Sequence, residues 1–169
     1  VSFANCGLPY HVGGVIKNRD SLFVVGKEVF KERFNIDART NSEAVRIDPK
    51  SKTVTVKSAD RGEYEERYDK LVLSTGASPA FPLFEGADLP DVTCFWTIHD
   101  MDNVLARLEA GAKDVMVVGA GFVGMELVEN FVHRGIRTTL LHRSGHPMSA
   151  FLDREMARPI VEALEANGV

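Results

Sequence analysis

The sequence predicts an α/β protein assembled from two unlike regions, and three features carry that expectation. The stretches SEAVRID, KTVTVKS and EYEERYD alternate apolar and polar residues and are separated by turn residues, the pattern of an antiparallel meander. Further on, DVMVVGAGFVGMELVENFVHRGIRTTLLHRS runs strand, glycine turn, helix, turn, strand. Near the start, SFANCGLPYHVGG sets a cysteine just before a glycine–proline entry into a helix.

Composition narrows the class. The chain has 169 residues, enough for one domain or for pieces of two. Its 44% hydrophobic and 26% charged content is that of a globular protein. A net charge of −4 without a Lys/Arg cluster argues against a nucleic-acid partner. No apolar run approaches the roughly 18 residues of a membrane span. No basic stretch followed by an apolar core marks a secretory leader. Two cysteines far apart, Cys6 and Cys94, do not form a secreted disulfide framework, so a cytoplasmic location is expected. The chain lacks an initiator Met and ends at Asn167-Gly168-Val169, where a helix closes, so it is expected to be a fragment of a longer protein.

Taken in order, residues 6–16 read as a short helix entered through Pro9. Gly26 to Phe34 has helical spacing at Val29, Phe30 and Phe34. The three meander strands follow, with turns at Asp48-Pro49-Lys50 and Asp60-Arg61-Gly62. KLVLSTGASP predicts a buried strand over Leu71 to Ser74 that enters a glycine turn. Pro79, Pro82 and Pro90 mark a linker over about residues 79–93. Residues 98–110 fit a helix closed by Gly111. Asp114 to Val118 reads as an apolar strand of the buried parallel kind. A helix to Arg134 closes at Gly135, and Arg137 to His142 forms the next strand.

Gly119-Ala120-Gly121-Phe122-Val123-Gly124 matches G-x-G-x-x-G in the βαβ setting its mechanism requires, a Rossmann-like dinucleotide site. Gly119 permits the tight turn, Gly121 lets backbone approach a pyrophosphate, and Gly124 lets helix and strand pack closely. A close-packed unit without ligand is the alternative. An acid at the end of the second strand would bond the ribose hydroxyls of NADH. Here the strand ends in His142-Arg143-Ser144. Arg143 offers a planar fork to a 2′-phosphate and Ser144 a further donor, which favours NADPH with NADH as the alternative. A solvated strand-end arginine is the other reading of Arg143.

Cys6 has two readings: a small residue filling a packing gap, or a thiol at a helix N-terminus, where unpaired N–H groups and partial positive charge favour the thiolate. Cys94, in VTCFWTI, reads as buried packing. His11, His99, His133 and His146 show no metal-ligand spacing, so no metal is expected.

SFANCGLPYHVGGVI, YDKLVLSTGASP and VVGAGFVGMELVEN with TTLLHRS occur in this order and together resemble the FAD-dependent pyridine nucleotide–disulfide oxidoreductases. Within them the chain is most similar to the coenzyme A disulfide reductase branch. The resemblance spans essentially the whole chain. It implies a partial FAD-binding domain containing the meander over residues 1–111, followed by the first half of a Rossmann-like NAD(P)H-binding domain over 112–169. The FAD fingerprint, the second FAD segment and the dimerisation domain of that family are not in this sequence, so the segment alone is expected to be inactive.

The resemblance also assigns roles. Many members use a C-x₄-C pair, but the residue five places after Cys6 is His11. Cys6 therefore resembles the single catalytic cysteine of the branch and takes an external thiol, coenzyme A, as partner in a mixed disulfide. Ser2 and Asn5 match substrate-contacting positions, with a plain turn role as the alternative for Asn5. Thr75-Gly76-Ala77 matches a turn that approaches FAD, and could equally be a strand exit. Glu126 matches a glutamate near the nicotinamide, or is a helix-surface acid. The implied activity is NADPH-driven reduction of coenzyme A disulfide, or of another low-molecular-weight disulfide, by a homodimer. Two other activities stand beside it. One is an NAD(P)H oxidase, peroxidase or polysulfide reductase using a Cys6 sulfenate or persulfide. The other is a non-enzymatic dinucleotide-binding module.

Overall fold

A computed structural model describes residues 2–81 and 84–169. In chain order the elements are β1 (Ser2–Phe3), a 3₁₀ turn (Asn5–Gly7), α1 (Leu8–Val12), a 3₁₀ turn (Arg19–Leu22), β2 (Phe23–Val25) and α2 (Lys27–Phe34). The meander β3 (Ser42–Asp48), β4 (Thr53–Ser58) and β5 (Gly62–Arg67) follows, then α3 (Ile98–Glu109), β6 (Asp114–Val118), α4 (Phe122–His133), β7 (Arg137–Leu141) and α5 (Arg154–Ala166). The α/β class is as the sequence predicts. The chain divides into two compact units, one built on Val25–Ser78, the other on Phe3–Val24 with Pro79–Val169.

In the first unit, β3, β4 and β5 form an antiparallel sheet in that order. Asp48 Oδ1 accepts the backbone N–H of Lys50 (2.9 Å) and of Ser51 (3.3 Å), closing the first turn as its sequence suggests. The Ser51 hydroxyl and these two N–H groups hold the Asp48 carboxyl below the usual carboxylate range. Gly62 takes φ +71 in the second turn. Arg39 braces the sheet, with its guanidinium 2.6 Å from Glu66 and over the Tyr64 ring. The expected strand over Leu71 to Ser74 is not formed: these residues have no regular structure, and Val72 is 84% exposed. A buried strand needs neighbours on both edges, and among the described residues none pairs with this segment.

The second unit is built around α4. Leu127, Val128 and Phe131 line one face of that helix and pack with Val117 of β6, Leu8 and Val12 of α1, Leu22 of the second 3₁₀ turn and Met101 of α3. The strands β6 and β7 pair in parallel, Asp114 opposite Arg137 through Val118 opposite Leu141. Burial on both faces of β6 is not found. Val117 is buried toward α4, but Met116 and Val118 remain 61% and 54% exposed, because among the described residues no layer covers that face. The helix expected over 6–16 is also shorter: α1 stops at Val12, and Gly14 turns the chain at φ +80. Of the three linker prolines, Pro82 lies outside the described residues.

Helix α3 starts from a capping box. Thr97 Oγ1 accepts the Asp100 N–H (3.2 Å) and the Asp100 carboxylate accepts the Thr97 N–H (2.7 Å). Replacing Thr97 by Ala leaves an unpaired helix-start donor and should cost about 1 kcal/mol, read as a lowered urea midpoint at unchanged slope.

Candidate functional site

The glycine turn between β6 and α4 forms a cradle. Gly119 takes φ +110, which glycine alone adopts without strain, and its N–H donates to the Leu141 carbonyl (2.8 Å). A Cβ on Gly124 would overlap the Gly119 carbonyl oxygen, so the first helical turn can approach β6 only with glycine there. A Cβ on Gly121 meets no protein atom within 4 Å. Helix α4, twelve residues long, is entered through Gly121 at its N-cap, with no side-chain cap and no acid in its first turn. Its leading N–H groups thus lack a side-chain acceptor, and an anionic pyrophosphate fits that donor set.

The end of β7 returns to this turn. The strand closes at Leu141, one residue earlier than expected, and His142 turns its ring inward. The Ala120 N–H donates to His142 Nδ1 (3.3 Å), and His142 Nε2 lies 3.2 Å from Ser149 Oγ. Arg143 and Ser144 are exposed beyond it. Glu126, half-buried on α4, accepts the Asn130 side-chain N–H at its backbone oxygen (2.8 Å).

Cys6 lies in the 3₁₀ turn ahead of α1. Gly7, Leu8 and Pro9 are buried, whereas Cys6 and Asn5 are exposed. A Cβ on Gly7 would stand 2.7 Å from Leu22 Cδ2, so glycine lets this turn pack down while Cys6 projects outward. The gap-filling reading of Cys6 therefore does not hold in this chain. Helix α1 has five residues, little more than one turn, and offers less end charge than the longer helix expected from the sequence. Cys94 is half-buried, not fully enclosed, and burial followed by the nearby Asp100 raises its thiol pKa.

Ser2 and the Thr75-Gly76-Ala77 turn belong to the first unit and are exposed. Gly76 takes φ +74 with open space where a Cβ would stand, so a ligand can approach this backbone closely. The other site residues lie in the second unit. Among the described residues, no cluster of three or more His, Cys, Asp or Glu is placed to hold a metal ion, and no helix is long and apolar enough to cross a membrane.

Sequence reasoning missed the seam between α1 and α4. Asn130 is only 2% exposed, and a Cβ on Gly13 would stand 2.7 Å from its Cγ. Arg134 Nη1 donates to the Val12 carbonyl (2.7 Å). The signal was a polar residue inside the apolar stripe Leu127, Val128, Phe131 of α4, faced by the glycine pair after α1. Gly13→Ala should cost about 1–3 kcal/mol through this overlap, with Gly14→Ser, where a Cβ meets nothing within 4 Å, showing only the smaller cost of its positive φ. Thermal unfolding of the two variants makes the comparison.

Comparison with known proteins gives the same picture. A family model described as pyridine nucleotide-disulphide oxidoreductase matches residues 1–169. A curated coenzyme A disulfide reductase from Staphylococcus aureus (strain JH9) is 38% identical over 172 residues, covering 100% of this chain and 38% of the relative. Among solved structures, reduced Bacillus anthracis CoADR-RHD superposes with TM-score 0.93 at 38% identity, over 100% of this chain and 31% of that one. A NAD-dependent persulfide reductase from A. fulgidus does so with TM-score 0.94 at 35% identity, over 100% and 32%. The chain thus spans well under half the length of these relatives. With the glycine cradle, the outward cysteine and a match over its whole length, the chain belongs to the pyridine nucleotide-disulphide oxidoreductase family.

Proposed function

We propose that the protein carrying this chain is a flavoenzyme that reduces coenzyme A disulfide, or mixed disulfides of coenzyme A, with NADPH through Cys6. The observation that carries the reading is the exposed Cys6 thiol on a turn leading into α1, the helix that packs on dinucleotide helix α4. The identity to a coenzyme A disulfide reductase supports the substrate. In this reading residues 1–111 belong to an FAD-binding domain and 112–169 open the NAD(P)H-binding domain of a cytoplasmic homodimer.

Each site residue then has a task. The Gly119, Gly121 and Gly124 turn and the start of α4 hold the nucleotide pyrophosphate. Arg143 and Ser144, exposed after β7, meet the 2′-phosphate, and His142 supports them from within. Glu126 stands on α4 toward the nicotinamide. The Thr75-Gly76-Ala77 backbone would help hold the flavin, and Ser2 and Asn5 would bind the coenzyme A moiety. Bound FAD supplies a two-electron relay between nicotinamide and sulfur. The Cys6 thiolate attacks one sulfur of the disulfide substrate. The substrate S–S bond breaks, one half leaves as thiolate, and the other remains as a mixed disulfide on Cys6. Two electrons and one proton then cleave that bond, regenerate the Cys6 thiolate and free the second thiol. Such exchange is fastest when the attacking thiol has a pKa near ambient pH.

Intact-mass spectrometry of the full-length protein tests the reading. The expected result is a coenzyme A adduct on Cys6 that disappears on addition of NADPH. A persulfide at Cys6 would instead favour persulfide chemistry, the reading to which the A. fulgidus structure is similar. An inert Cys6 would overturn both.

The nucleotide preference has its own test. Hydrogen bonds to charged groups contribute roughly 1.5–3 kcal/mol, so Arg143→Ala should lower kcat/KM for NADPH about tenfold or more. NADH turnover should change little. The comparison belongs at fixed ionic strength, since salt screens an exposed arginine. A wild-type enzyme that already prefers NADH would refute the assignment.

A further inference from the structure

We infer that His142 is a positioning residue: its ring ties the glycine turn to the loop after β7, setting the pyrophosphate cradle and the ribose end of the nucleotide site in one register. The inference deepens the proposed function and rests on its reading of this turn as the nucleotide cradle.

Ala120 sits between Gly119 and Gly121, and glycine neighbours leave a peptide free to rotate. Here it is fixed on both sides. Its N–H donates to His142 Nδ1 (3.3 Å) and its carbonyl accepts the Met148 N–H (2.8 Å). Ala120 is 1% exposed, so an unpaired N–H at this position would be left without water. The hydrogen bonds also set the roles of the two ring nitrogens. A backbone N–H can only donate, so Nδ1 accepts, which leaves Nε2 as the ring donor toward Ser149 Oγ (3.2 Å).

The loop beyond is drawn onto the same turn. Met148 takes φ +55, a left-handed conformation for a residue with a side chain, as its N–H reaches Ala120. The Phe151 ring then packs at a tilt of 49° against that of Phe122, the first residue of α4, with ring centroids 4.8 Å apart. Both nitrogens of His142 are thus engaged inside the protein, whereas Arg143 and Ser144 are exposed. The ring acts on the nucleotide through Ala120 and the loop, not by bonding the 2′-phosphate itself.

Three variants of the full-length holoenzyme test this, read by hydrogen exchange at the Ala120 amide and by calorimetric binding of NADPH and of NADH. His142→Ala should speed Ala120 exchange and weaken both nucleotides about tenfold alike. His142→Asn, whose Oδ1 stands near the place of Nδ1, should restore Ala120 protection and most of the affinity. His142→Gln, whose amide matches Nε2, should not. Should His142→Ala fail to fold, the Asn and Gln pair carries the comparison. Unchanged Ala120 exchange in His142→Gln, or no rescue by Asn, overturns the inference. A loss confined to NADPH overturns it too and makes the ring a phosphate ligand. If Ala120 responds as expected but the wild type binds neither nucleotide, the cradle reading fails, and the nucleotide half of this inference fails with it.

Discussion

On the proposed function, replacing Cys6 by serine in the full-length enzyme should abolish reduction of coenzyme A disulfide while leaving FAD bound and reducible by NADPH. The two side chains are nearly isosteric, and Cys6 is exposed, so the fold has no packing reason to respond. The chemistry does respond, because a serine hydroxyl stays protonated at neutral pH and forms no mixed disulfide. Loss of an obligate nucleophile lowers turnover by at least about three orders of magnitude. Thiol release measures the lost reaction, and bleaching of the flavin band on adding NADPH measures the retained one. Turnover of the disulfide by the serine variant would show that Cys6 is not the nucleophile. Loss of flavin reduction as well would show that the substitution acts on more than sulfur exchange.

Gly124→Val should be the most damaging single change to the nucleotide half of the site. A Cβ there overlaps the Gly119 carbonyl oxygen and stands 3.0 Å from its carbonyl carbon. The clash is with backbone, so no rotamer relieves it, and β6 and α4 must separate. Overpacking of this kind costs typically about 1–3 kcal/mol. The separation also breaks the cradle, so nucleotide affinity should fall by about two orders of magnitude or more. Gly121→Ala is the informative contrast. Gly121 has φ −86 and open space around its missing Cβ, so alanine should leave the denaturation midpoint nearly unchanged and weaken only nucleotide binding. Equal loss of stability in both variants would contradict the separate roles given to the two glycines.

What the sequence made legible follows from the range of the interactions involved. The meander was readable because alternation and turn chemistry are local: Asp48 closes its turn with its own neighbours Lys50 and Ser51. The cradle was readable because its constraints are local: Gly119 takes a positive φ of its own, and Gly124 packs against the Gly119 carbonyl five residues back. The strand over Leu71 to Ser74 was misread because an apolar run states only a preference for burial. Whether that preference is met depends on partner strands elsewhere in the chain. Met116 and Val118 carry the same lesson, being apolar yet uncovered. His142 was legible as a residue of the site but not in its task. Its partners Ala120 and Ser149 are 22 and 7 residues away, and no spacing rule reports where a ring will turn.

The seam at Gly13 and Asn130 bears on how this sequence can drift. One position has no side chain because the other's amide already fills the space, so neither can be exchanged freely while the other stays. A relative that carries alanine or serine at the position of Gly13 should carry a residue smaller than asparagine at the position of Asn130. In the laboratory, Gly13→Ala should be tolerated better in an Asn130→Ala background than alone. In a chimera that takes residues before Gly14 from one parent and α4 from another, stability should fall where a side chain at the Gly13 position meets asparagine at the Asn130 position, and hold where either partner is small.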